Sequence, residues 1–463
     1  MSTGPIVMKF GGTSVEDAAA FARVSQIVRQ RQSGRPVIVV SAMSGMTDAL
    51  IACVEAAAHQ RNAQPLLEEH LARHGAVANE LLPLRSLESF RALLEKSRNE
   101  LCGLLNSIAE RAVAPNAIPA DLRDQVLAFG EDLSSNLLAA TLGEKNLTVQ
   151  QVDARKCIVT DGAHGAAIPH WNETVAATNS QLAPLLENGI TPVLGGFVAS
   201  DARGRTTTLG RGGSDYSAAL IGAALRASEI QIWTDVDGVL TADPRIESRA
   251  FPVPLMSYAE AAELAYFGAK VLHPKTIQPA VEFNIPVRIC NSRTPGEPGT
   301  LVCAESESAA SGVKAIAHKA GVTTIQITSA RMLGAYGFLR RLFELFDKHR
   351  TVVDVVTTSE VSVSLSLDTA PPAALLHELE ELGVVRVEEG RAIVCVVGAG
   401  LRGTPGIAAR VFNTISDINV SLISQGASSV NLTFAVDEQF VTQAVTRLHE
   451  TFFQKSNVQS PTN

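Results

Sequence analysis

An internal repeat near the end of the chain limits most strongly how this sequence can fold. The segment YGFLRRLFELFDKHRTVVDVVTTSEVSVSLSLD, residues 336–368, recurs 69 residues later, without a gap, as PGIAARVFNTISDINVSLISQGASSVNLTFAVD, residues 405–437. Each copy predicts a strand, a glycine loop, a helix, a strand, a polar turn, a strand and a second helix. We expect two copies of one such unit to pack together and bury their open faces jointly.

The repeat also decides how a dinucleotide-binding pattern in its second copy is interpreted. Gly398, Gly400 and Gly403 form G-x-G-x-x-G after an apolar run, and Asp417 follows at the distance of a ribose-binding acid. These glycines align with the glycine loop of the first copy. Asp417 lies before the next predicted strand, which starts near Ile418, whereas a ribose-binding acid should follow a strand. We therefore interpret the pattern as a repeated strand-to-helix turn.

Ahead of the repeat, short apolar runs alternate with helical patterns. The strand-like runs are Ile6–Phe10, Val37–Val40, Val149–Val152, Pro192–Val198 and Glu229–Trp233. The stretch between the second and third runs reads as mostly helical. Fully apolar strands separated by helices imply an α/β fold with a largely parallel sheet between helical layers. The Pro- and Gly-rich NSRTPGEPGTLV and the polar CAESESAASG predict a domain boundary behind this part.

Composition and charge exclude several classes of function. The net charge of −8, without a Lys/Arg-rich stripe, argues against nucleic acid or an anionic membrane as a partner. No apolar run approaches the roughly 20 residues that span a membrane, and no signal peptide is expected. The six cysteines show neither C-x-x-C nor zinc-like spacing. We expect buried thiols in a reducing cytoplasm and no protein-bound metal.

The motif KFGGTSV, residues 9–15, follows the first predicted strand. Backbone N–H groups at Gly11 and Gly12 suit phosphate oxygens, and Lys9 adds a positive charge where negative charge would develop. Taken alone, the motif is equally compatible with an ordinary strand-to-helix turn that carries a solvated lysine.

A second motif, TTTLGRGGSDYSA, covers residues 206–218. Arg211 offers a planar fork for a carboxylate, and its glycine neighbours let a ligand reach the backbone. Ser214 could instead cap the following helix, which would explain it and Asp215 without a function. A cap does not explain Arg211, so we favour a ligand site.

A third constellation combines WTDVDGVLTADPR, residues 233–245, with FGAKVLHP, residues 267–274. Thr234 and Asp235 end an apolar strand, and Lys270 lies in a glycine-containing loop after a helix. Ligands of open α/β sheets bind beyond the carboxyl ends of strands, which favours these residues as ligand contacts. The Asp-Gly and Asp-Pro pairs between them are interpreted as turn residues.

These motifs, in this order and followed by the repeat, closely resemble the aspartokinase family in its monofunctional, lysine-sensitive bacterial form. The resemblance covers nearly the whole chain. It implies an amino-acid-kinase fold over residues 1–305, followed by two α+β ACT domains. The first ACT domain is expected at 313–390, completed by C-terminal residues, and the second at 391–455.

The resemblance implies transfer of the γ-phosphoryl group of ATP, which carries Mg²⁺, to the β-carboxylate of L-aspartate. The product is 4-phospho-L-aspartate, in the first step of lysine, threonine and methionine biosynthesis. Because a carboxylate nucleophile is already ionised at pH 7, catalysis needs positioning and charge neutralisation and no general base.

By resemblance, Lys9 stabilises the transferring phosphoryl group and Asp215 organises the charges around it. Glu131 would bind the ammonium of aspartate and Arg211 its α-carboxylate. The remaining implied contacts are Ser41, Thr47 and Ser214 for aspartate, and Gly11, Gly12, Thr234, Asp235, Arg245 and Lys270 for the nucleotide. Leu240 stands where this type usually has a tyrosine, so an aromatic stacking contact with adenine is not expected there.

The resemblance also implies inhibition by L-lysine, because ACT domains commonly bind a regulatory amino acid. The residues carried over are Met332, Gly337, Phe338, Leu339, Val353, Asp354, Ser359 and Glu360. Asp354 and Glu360 would receive the two ammonium groups of lysine, or they are solvated surface acids. Ala335 stands where a hydroxyl is expected. ACT pairs usually associate through sheet edges, which implies a homodimer or a higher homo-oligomer.

Two alternatives stay open at this point. One is another amino-acid kinase of this fold, acting on glutamate, carbamate or UMP. The other is an amino-acid sensor whose kinase domain is inactive. A bifunctional aspartokinase–homoserine dehydrogenase is not expected, because only the short tail FFQKSNVQSPTN follows the second repeat copy.

Overall fold

The structure is a computed structural model that describes residues 4–112, 118–268, 272, 274–304 and 312–453. It divides into two compact units. The first unit combines Met1–Val239, Pro254–Met256 and His273–Ala304, and the second combines Leu240–Val253, Ser257–Leu272 and Glu305–Asn463.

Strands and helices make up most of both units. The strands are β1 Ile6–Phe10, β2 Val37–Val40, β3 Val149–Val152, β4 Val159–Thr160, β5 Thr191–Gly195, β6 Val198–Asp201, β7 Thr206–Thr208, β8 Glu229–Thr234, β9 Leu255–Ser257, β10 Val287–Asn291, β11 Thr300–Cys303, β12 Gly312–Thr328, β13 Val356–Thr358, β14 Ser362–Leu367, β15 Val384–Ala399, β16 Leu422–Gln425 and β17 Asn431–Asp437. The helices are α1 Ala18–Gln30, α2 Met46–Ala58, α3 Gln64–Leu81, α4 Leu84–Arg111, α5 Ala120–Gly143, α6 Trp171–Glu187, α7 Gly213–Ala224, α8 Tyr258–Tyr266, α9 Gln278–Glu282, α10 Phe338–Lys348, α11 Ala373–Glu380, α12 Ile407–Thr414 and α13 Val441–Phe453.

The first unit is built on an eight-stranded sheet in the order β3-β5-β2-β1-β8-β10-β11-β9. The six strands from β3 to β10 in this order pair in parallel, and β11 runs antiparallel to β10. This confirms the largely parallel α/β sheet. The predicted run Pro192–Val198 is two strands, because β5 ends at Gly195 and β6 starts at Val198.

The core of this sheet explains why its strands read as continuous apolar runs. All four residues of β2 are buried, and β1 between its two parallel neighbours buries Val7, Met8 and Phe10 completely. Phe10 stacks on Trp233 of β8, with ring centroids 6.0 Å apart. Burying a side chain of this size stabilises the fold by about 1.5–3 kcal/mol. The centre of the sheet is therefore a rigid support for the residues at its strand ends.

The second unit contains an antiparallel six-stranded sheet in the order β13-β14-β12-β15-β17-β16. The long strands β12 and β15 pair along their whole length, from Gly312↔Ala399 to Thr328↔Val384. β14 and β13 extend one half of this pair, and β17 and β16 extend the other. Each half has its own helices and hydrophobic core. The repeat is thus confirmed, and each central strand serves both copies.

The G-x-G-x-x-G segment is the predicted turn of the repeat. Gly398 belongs to β15, Gly400 adopts φ 67°, and α12 follows after a single 3-10 turn. The predicted start of the next strand at Ile418 was wrong, because that strand, β16, begins at Leu422. The Ile418 side chain is instead buried in the core beneath α12 and α13.

Two other sequence expectations concern thiols and membranes. Cys53, Cys157, Cys290 and Cys395 are buried, whereas Cys102 and Cys303 are half-buried, and all six thiols are free. Within the described part of the chain, every helix is too short or too polar to cross a membrane.

Candidate active site

A cavity of about 500 Å³ lies in the first unit beyond the carboxyl ends of β1, β2 and β5. It brings together every residue that the sequence placed in catalysis or aspartate binding. These lining residues are Lys9, Ser41, Thr47, Glu131, Arg211, Ser214 and Asp215. Separate segments of the chain supply them, and the parallel sheet brings those segments to one edge.

An ion pair occupies one wall of this cavity. Lys9 Nζ lies 2.7 Å from Asp215 Oδ1, and the two side chains are only 11% and 17% exposed. Lys9 is held in β1, which pairs on both sides, and Asp215 lies in the first turn of α7. The helix dipole favours a carboxylate at that end. The ammonium is therefore fixed at the edge of the cavity.

The KFGGTSV turn differs in detail from the expectation. After Phe10 the chain forms one 3-10 turn, and α1 begins only at Ala18 with Asp17 as its N-cap. The Gly11 N–H donates to the carbonyl of Trp233 at 3.0 Å. A Cβ on Gly12 would lie 3.0 Å from the carbonyl oxygen of Ala42. Gly12 thus keeps the turn close to the loop after β2, and its own backbone lines the cavity.

Glu131 places a buried carboxylate in the cavity from the middle of α5. It is 3% exposed, and the Ala42 N–H donates to it, whereas Oε2 has no hydrogen-bond partner among the described residues. Burial raises the pKa of this carboxyl to about 8. A Cβ on Gly195 would lie 2.9 Å from the Cβ of Glu131, so this glycine lets α5 approach the end of β5. An unpartnered carboxylate oxygen at such a place suits a cation.

Arg211 and Ser214 belong to the turn into α7. The Arg211 side chain is exposed at the cavity and forms no ion pair within the described residues. Gly212, with φ 72°, is the N-cap of α7, so Ser214 does not cap this helix. Ser214 is instead buried beside Gly196, where a Cβ would lie 2.6 Å from the Ser214 Cβ.

A carboxylate that the sequence analysis missed connects three cavity segments. Asp124 of α5 is completely buried and accepts hydrogen bonds from the Thr208 hydroxyl at 2.8 Å and its N–H at 3.1 Å. The Gly165 N–H and His164 Nδ1 each lie 3.0 Å from Asp124 Oδ2. Gly165 and Thr208 both line the cavity. Nothing in the sequence marks Asp124, because its partners His164 and Thr208 are 40 and 84 residues away.

The sequence analysis did not predict two further residues that line the cavity, Arg123 and Phe197. Arg123 adds a second guanidinium to the cavity. Phe197 adopts φ 64° in the left-handed region, and the Ser217 hydroxyl accepts a hydrogen bond from its N–H at 2.9 Å. Such a backbone costs about 1–3 kcal/mol for a non-glycine residue and persists only where its surroundings hold it. The signal available was the GGFV stretch, where two glycines interrupt an apolar run.

The residues predicted for the nucleotide are distributed more widely. Thr234 and Asp235 lie at the carboxyl end of β8, the strand adjacent to that of Lys9. Arg245 belongs to the second unit, where its guanidinium pairs with Asp243 at 2.6 Å. Lys270 lies outside the described residues.

The effector candidates all lie in the second unit, within the first copy of the repeat or directly before it. Gly337, with φ 78°, is the N-cap of α10, which starts with the buried Phe338. Ser359 and Glu360 form the exposed turn between β13 and β14, and Asp354 precedes β13. The other three candidates are Met332 in a 3-10 turn, the exposed Leu339 and the half-buried Val353.

The Asp354 carboxylate is already engaged. Its side chain is 1% exposed, Lys319 Nζ lies 3.1 Å from one oxygen, and the Tyr266 hydroxyl donates to the other. Lys319 also pairs with Asp368. Burial raises the pKa of Asp354 and, together with the bond to Asp354, that of Tyr266. We call these four residues, Lys319, Asp354, Asp368 and Tyr266, the Asp354 cluster.

Comparison with known proteins places this architecture in a family. The model of the amino acid kinase family matches residues 4–291, and a model of the ACT domain matches residues 394–452. The chain is 38% identical over 458 residues to lysine-sensitive aspartokinase 3 of Escherichia coli K12, covering 97% of this chain and 99% of that protein. The chain belongs to the aspartokinase family.

Other aspartokinases show the same relationship. Chloroplastic aspartokinase 1 of Arabidopsis thaliana is 37% identical, over 98% of this chain and 81% of that protein. The crystal structure of E. coli aspartokinase III with aspartate and ADP, in the R-state, matches with a TM-score of 0.82 at 37% identity. It covers 97% of this chain and all of that one. The T-state structure with lysine and aspartate matches with a TM-score of 0.80 over 98% of this chain.

Proposed function

We propose that this aspartokinase transfers the γ-phosphoryl group of ATP to the β-carboxylate of L-aspartate. The cavity carries the proposal, because it combines a Glu131 oxygen and an Arg211 guanidinium that both lack partners among the described residues. L-aspartate has the complementary groups: the α-ammonium suits Glu131 and the α-carboxylate suits Arg211. With both held, the β-carboxylate remains free to face Lys9.

In the proposed reaction, a β-carboxylate oxygen forms a bond to the γ-phosphorus while the bond from that phosphorus to the bridging oxygen of ADP breaks. The products are 4-phospho-L-aspartate and ADP. The nucleophile has an ordinary pKa near 4 and needs no base. Lys9 stabilises the charge that develops on the phosphoryl oxygens, and Asp215 holds the Lys9 ammonium in place.

The nucleotide is proposed to extend over the ends of β1 and β8, beside Gly11, Gly12, Thr234 and Asp235. Mg²⁺ enters with ATP and supplies charge neutralisation to its phosphates. Mg²⁺ sites of this kind use one or two carboxylates besides phosphate oxygens. Asp215, a carboxylate that lines the cavity, fits this requirement. Arg245 and Lys270 are further proposed contacts of the nucleotide.

A hydroxamate assay tests the function directly. Hydroxylamine traps an acyl phosphate, so contaminating ATPase cannot imitate the product. We expect hydroxamate with ATP, Mg²⁺ and L-aspartate, and at least roughly 100-fold less with L-glutamate. Equal or better use of glutamate would reject aspartate as the substrate. No hydroxamate from any acidic amino acid, in a folded sample, would favour the inactive sensor.

We also propose that L-lysine inhibits this enzyme at the first copy of the repeat. The two candidate acids occur only there, because the second copy has Ile423 and Ser429 at the positions of Asp354 and Glu360. The E. coli relative is described as lysine-sensitive, and one of its crystal structures holds lysine. These findings support the effector, and the loss of the expected hydroxyl at Ala335 affects the strength of binding.

We also propose that a second copy of the chain completes the effector site, which makes the active oligomer a homodimer or larger. Asp354 precedes β13, Glu360 follows it, and β13 is an edge strand of the six-stranded sheet. An edge strand offers backbone N–H and C=O groups to another chain, which supports this proposal.

We propose a catalytic domain over residues 1–305 and ACT domains over 313–390 and 391–455, supported by the two family matches. The six free thiols support the cytoplasm as the location, because oxidising compartments favour disulfides.

A further inference from the structure

The Asp354 cluster has the composition of an ammonium-binding site, and this site already holds an ammonium group. Lys319 Nζ contacts the carboxylates of both Asp354 and Asp368 and lies 5.0 Å from the centre of the Tyr266 ring. Carboxylate oxygens and an aromatic face are the groups that proteins use to bind alkylammonium ligands. An amine from solution would find the same contacts here.

The cluster is closed as it stands. The Asp354 side chain is 1% exposed, and both of its oxygens have partners, Lys319 Nζ and the Tyr266 hydroxyl. Lys319 is 22% exposed and Tyr266 is 43% exposed, so these two side chains form the outer layer over Asp354. A ligand ammonium reaches Asp354 only after one of them has moved.

The backbone beside Lys319 is irregularly paired, which favours a change in the direction of its side chain. It lies on β12 directly before a register shift of the pairing with β15, between Lys319 and Val322. A bulge of this kind loosens the local ladder and re-aims side chains. Asp354 precedes the short strand β13, and Asp368 follows the end of β14. Three neighbouring strands thus meet at the cluster, and its cation comes from the least regular part of β12.

We propose that Lys319 sets the strength of effector binding by occupying the place of the effector's ammonium. The inference rests on the proposed inhibition by L-lysine and deepens it. Lysine from solution binds only to the fraction of molecules in which the Lys319 ammonium has left Asp354. Its apparent affinity is reduced by that fraction.

The test uses Lys319→Gln, which removes the resident ammonium and keeps a polar chain of similar length. Lys314→Gln is the matched control, because Lys314 lies on the same strand and its ammonium pairs with Glu260 at 2.8 Å in a similarly buried place. Inhibition by L-lysine is measured with the hydroxamate assay, and lysine binding is measured by calorimetry without substrates. Thermal unfolding confirms that each variant is folded.

For Lys319→Gln we expect the lysine concentration for half-inhibition and the dissociation constant for lysine to fall together. The expected factor is roughly tenfold if the Lys319 ammonium occupies the site in about 90% of the parent molecules. Activity without lysine and the response of Lys314→Gln stay as in the parent. Tyr266→Phe, which opens only the other oxygen of Asp354, should tighten lysine binding by a smaller factor. If Lys319→Gln does not fold, lysine binding by Tyr266→Phe tests the proposal instead.

The failures are distinguishable. Unchanged or weaker lysine binding by both Lys319→Gln and Tyr266→Phe would overturn the role of Lys319, and so would equal tightening in Lys314→Gln. An active enzyme in which neither the parent nor any variant binds lysine would overturn lysine regulation, and this inference with it. Lysine binding by Lys319→Gln alone would support the inference most strongly. Lack of hydroxamate in every sample, with lysine binding retained, would reject the kinase and leave the binding result to decide.

Discussion

Lys9 Nζ and Asp215 Oδ1 lie 2.7 Å apart at the wall of the catalytic cavity, one on a central strand and the other in the first turn of a helix. In the proposed reaction, this ion pair lies where the transferred phosphoryl group is neutralised.

Lys9→Met should lower kcat by about 10²–10³-fold or more, because the ammonium stabilises charge only as it develops. The variant should still fold, because methionine keeps the apolar part of the chain, but its thermal unfolding midpoint should fall, because Asp215 Oδ1 is buried and loses its ionic partner. Hydroxamate kinetics at saturating substrates measure the effect. Asp215→Asn serves as the companion variant, because it keeps Lys9 and removes the carboxylate charge that holds the Lys9 ammonium. Near-normal turnover of Lys9→Met would reject the catalytic role of this lysine.

Glu131→Gln should raise the KM for aspartate by about 10–100-fold, the cost of losing a charge-assisted hydrogen bond, and leave the KM for ATP nearly unchanged. Steady-state kinetics with each substrate varied in turn separate the two constants. An equal rise in both would show that Glu131 supports the cavity as a whole and does not recognise the ammonium.

The same residue predicts a pH-dependent stability. The pKa of Glu131 in the folded protein is about 8, above its ordinary 4.5. The folded state therefore holds a proton that the unfolded chain releases, and stability falls as pH rises from about 4.5 to 8. Glu131→Gln cannot ionise, so without ligand it should unfold several degrees above the parent at pH 8.5 and close to it at pH 5. Unfolding curves without ligand at the two pH values test this; equal midpoints at pH 8.5 would contradict it.

Aspartate binding should release a proton at pH 7. In the free enzyme Glu131 is mostly protonated there, and the arriving ammonium favours its ionised form. Calorimetry in buffers of different ionisation enthalpy measures the number released, which should approach about one for the parent and zero for Glu131→Gln. The same release from both proteins would assign the proton to another group.

Asp124 is predicted to position the aspartate site without contacting the substrate. Thr208→Val removes one of its hydrogen bonds and keeps the shape of the side chain. It should raise the KM for aspartate by about 3–10-fold, since a typical hydrogen bond contributes about 0.5–1.5 kcal/mol. Thr208→Ser, which keeps the hydroxyl that donates to Asp124, is the control. A uniform loss of kcat with unchanged KM would contradict a positioning role.

Glu360→Ala should weaken inhibition by lysine by about tenfold, the loss of a charge-assisted contact, without changing the rate measured in its absence. Because Glu360 is exposed, the substitution should leave the fold intact, which thermal unfolding checks. If the second copy completes the site, dilution below the dimer dissociation constant should also weaken inhibition. Unchanged lysine sensitivity in Glu360→Ala would place the effector elsewhere.

Much of this protein could be predicted from contiguous residues. The apolar runs matched β1 and β2 with their observed bounds, because a strand buried on both faces leaves a continuous apolar signature. The bounds of β3 also matched, although this edge strand, VQQV, is only partly buried. The ungapped repeat predicted the two halves of the six-stranded sheet in the second unit, since each copy carries the same order of elements. It did not predict that residues 240–253 and 257–272 belong to this unit. The motif at the end of β1 led to Lys9, because parallel strands bring their carboxyl ends to one edge. Arg211 and Asp215 were found instead from the glycine-rich turn between β7, which pairs antiparallel with β6, and α7.

Tertiary structure alone decided how these groups are charged and paired. The raised pKa of Glu131 comes from its burial within the fold, and Asp124 finds partners 40 and 84 residues away. Asp354 meets Lys319 across 35 residues and Tyr266 across 88. Sequence patterns record periodicity and local chemistry, whereas desolvation and pairing depend on which distant side chains the fold brings within about 3 Å. The sequence by itself determined the elements and the motif chemistry, and the fold decided which carboxylates were left open for a ligand.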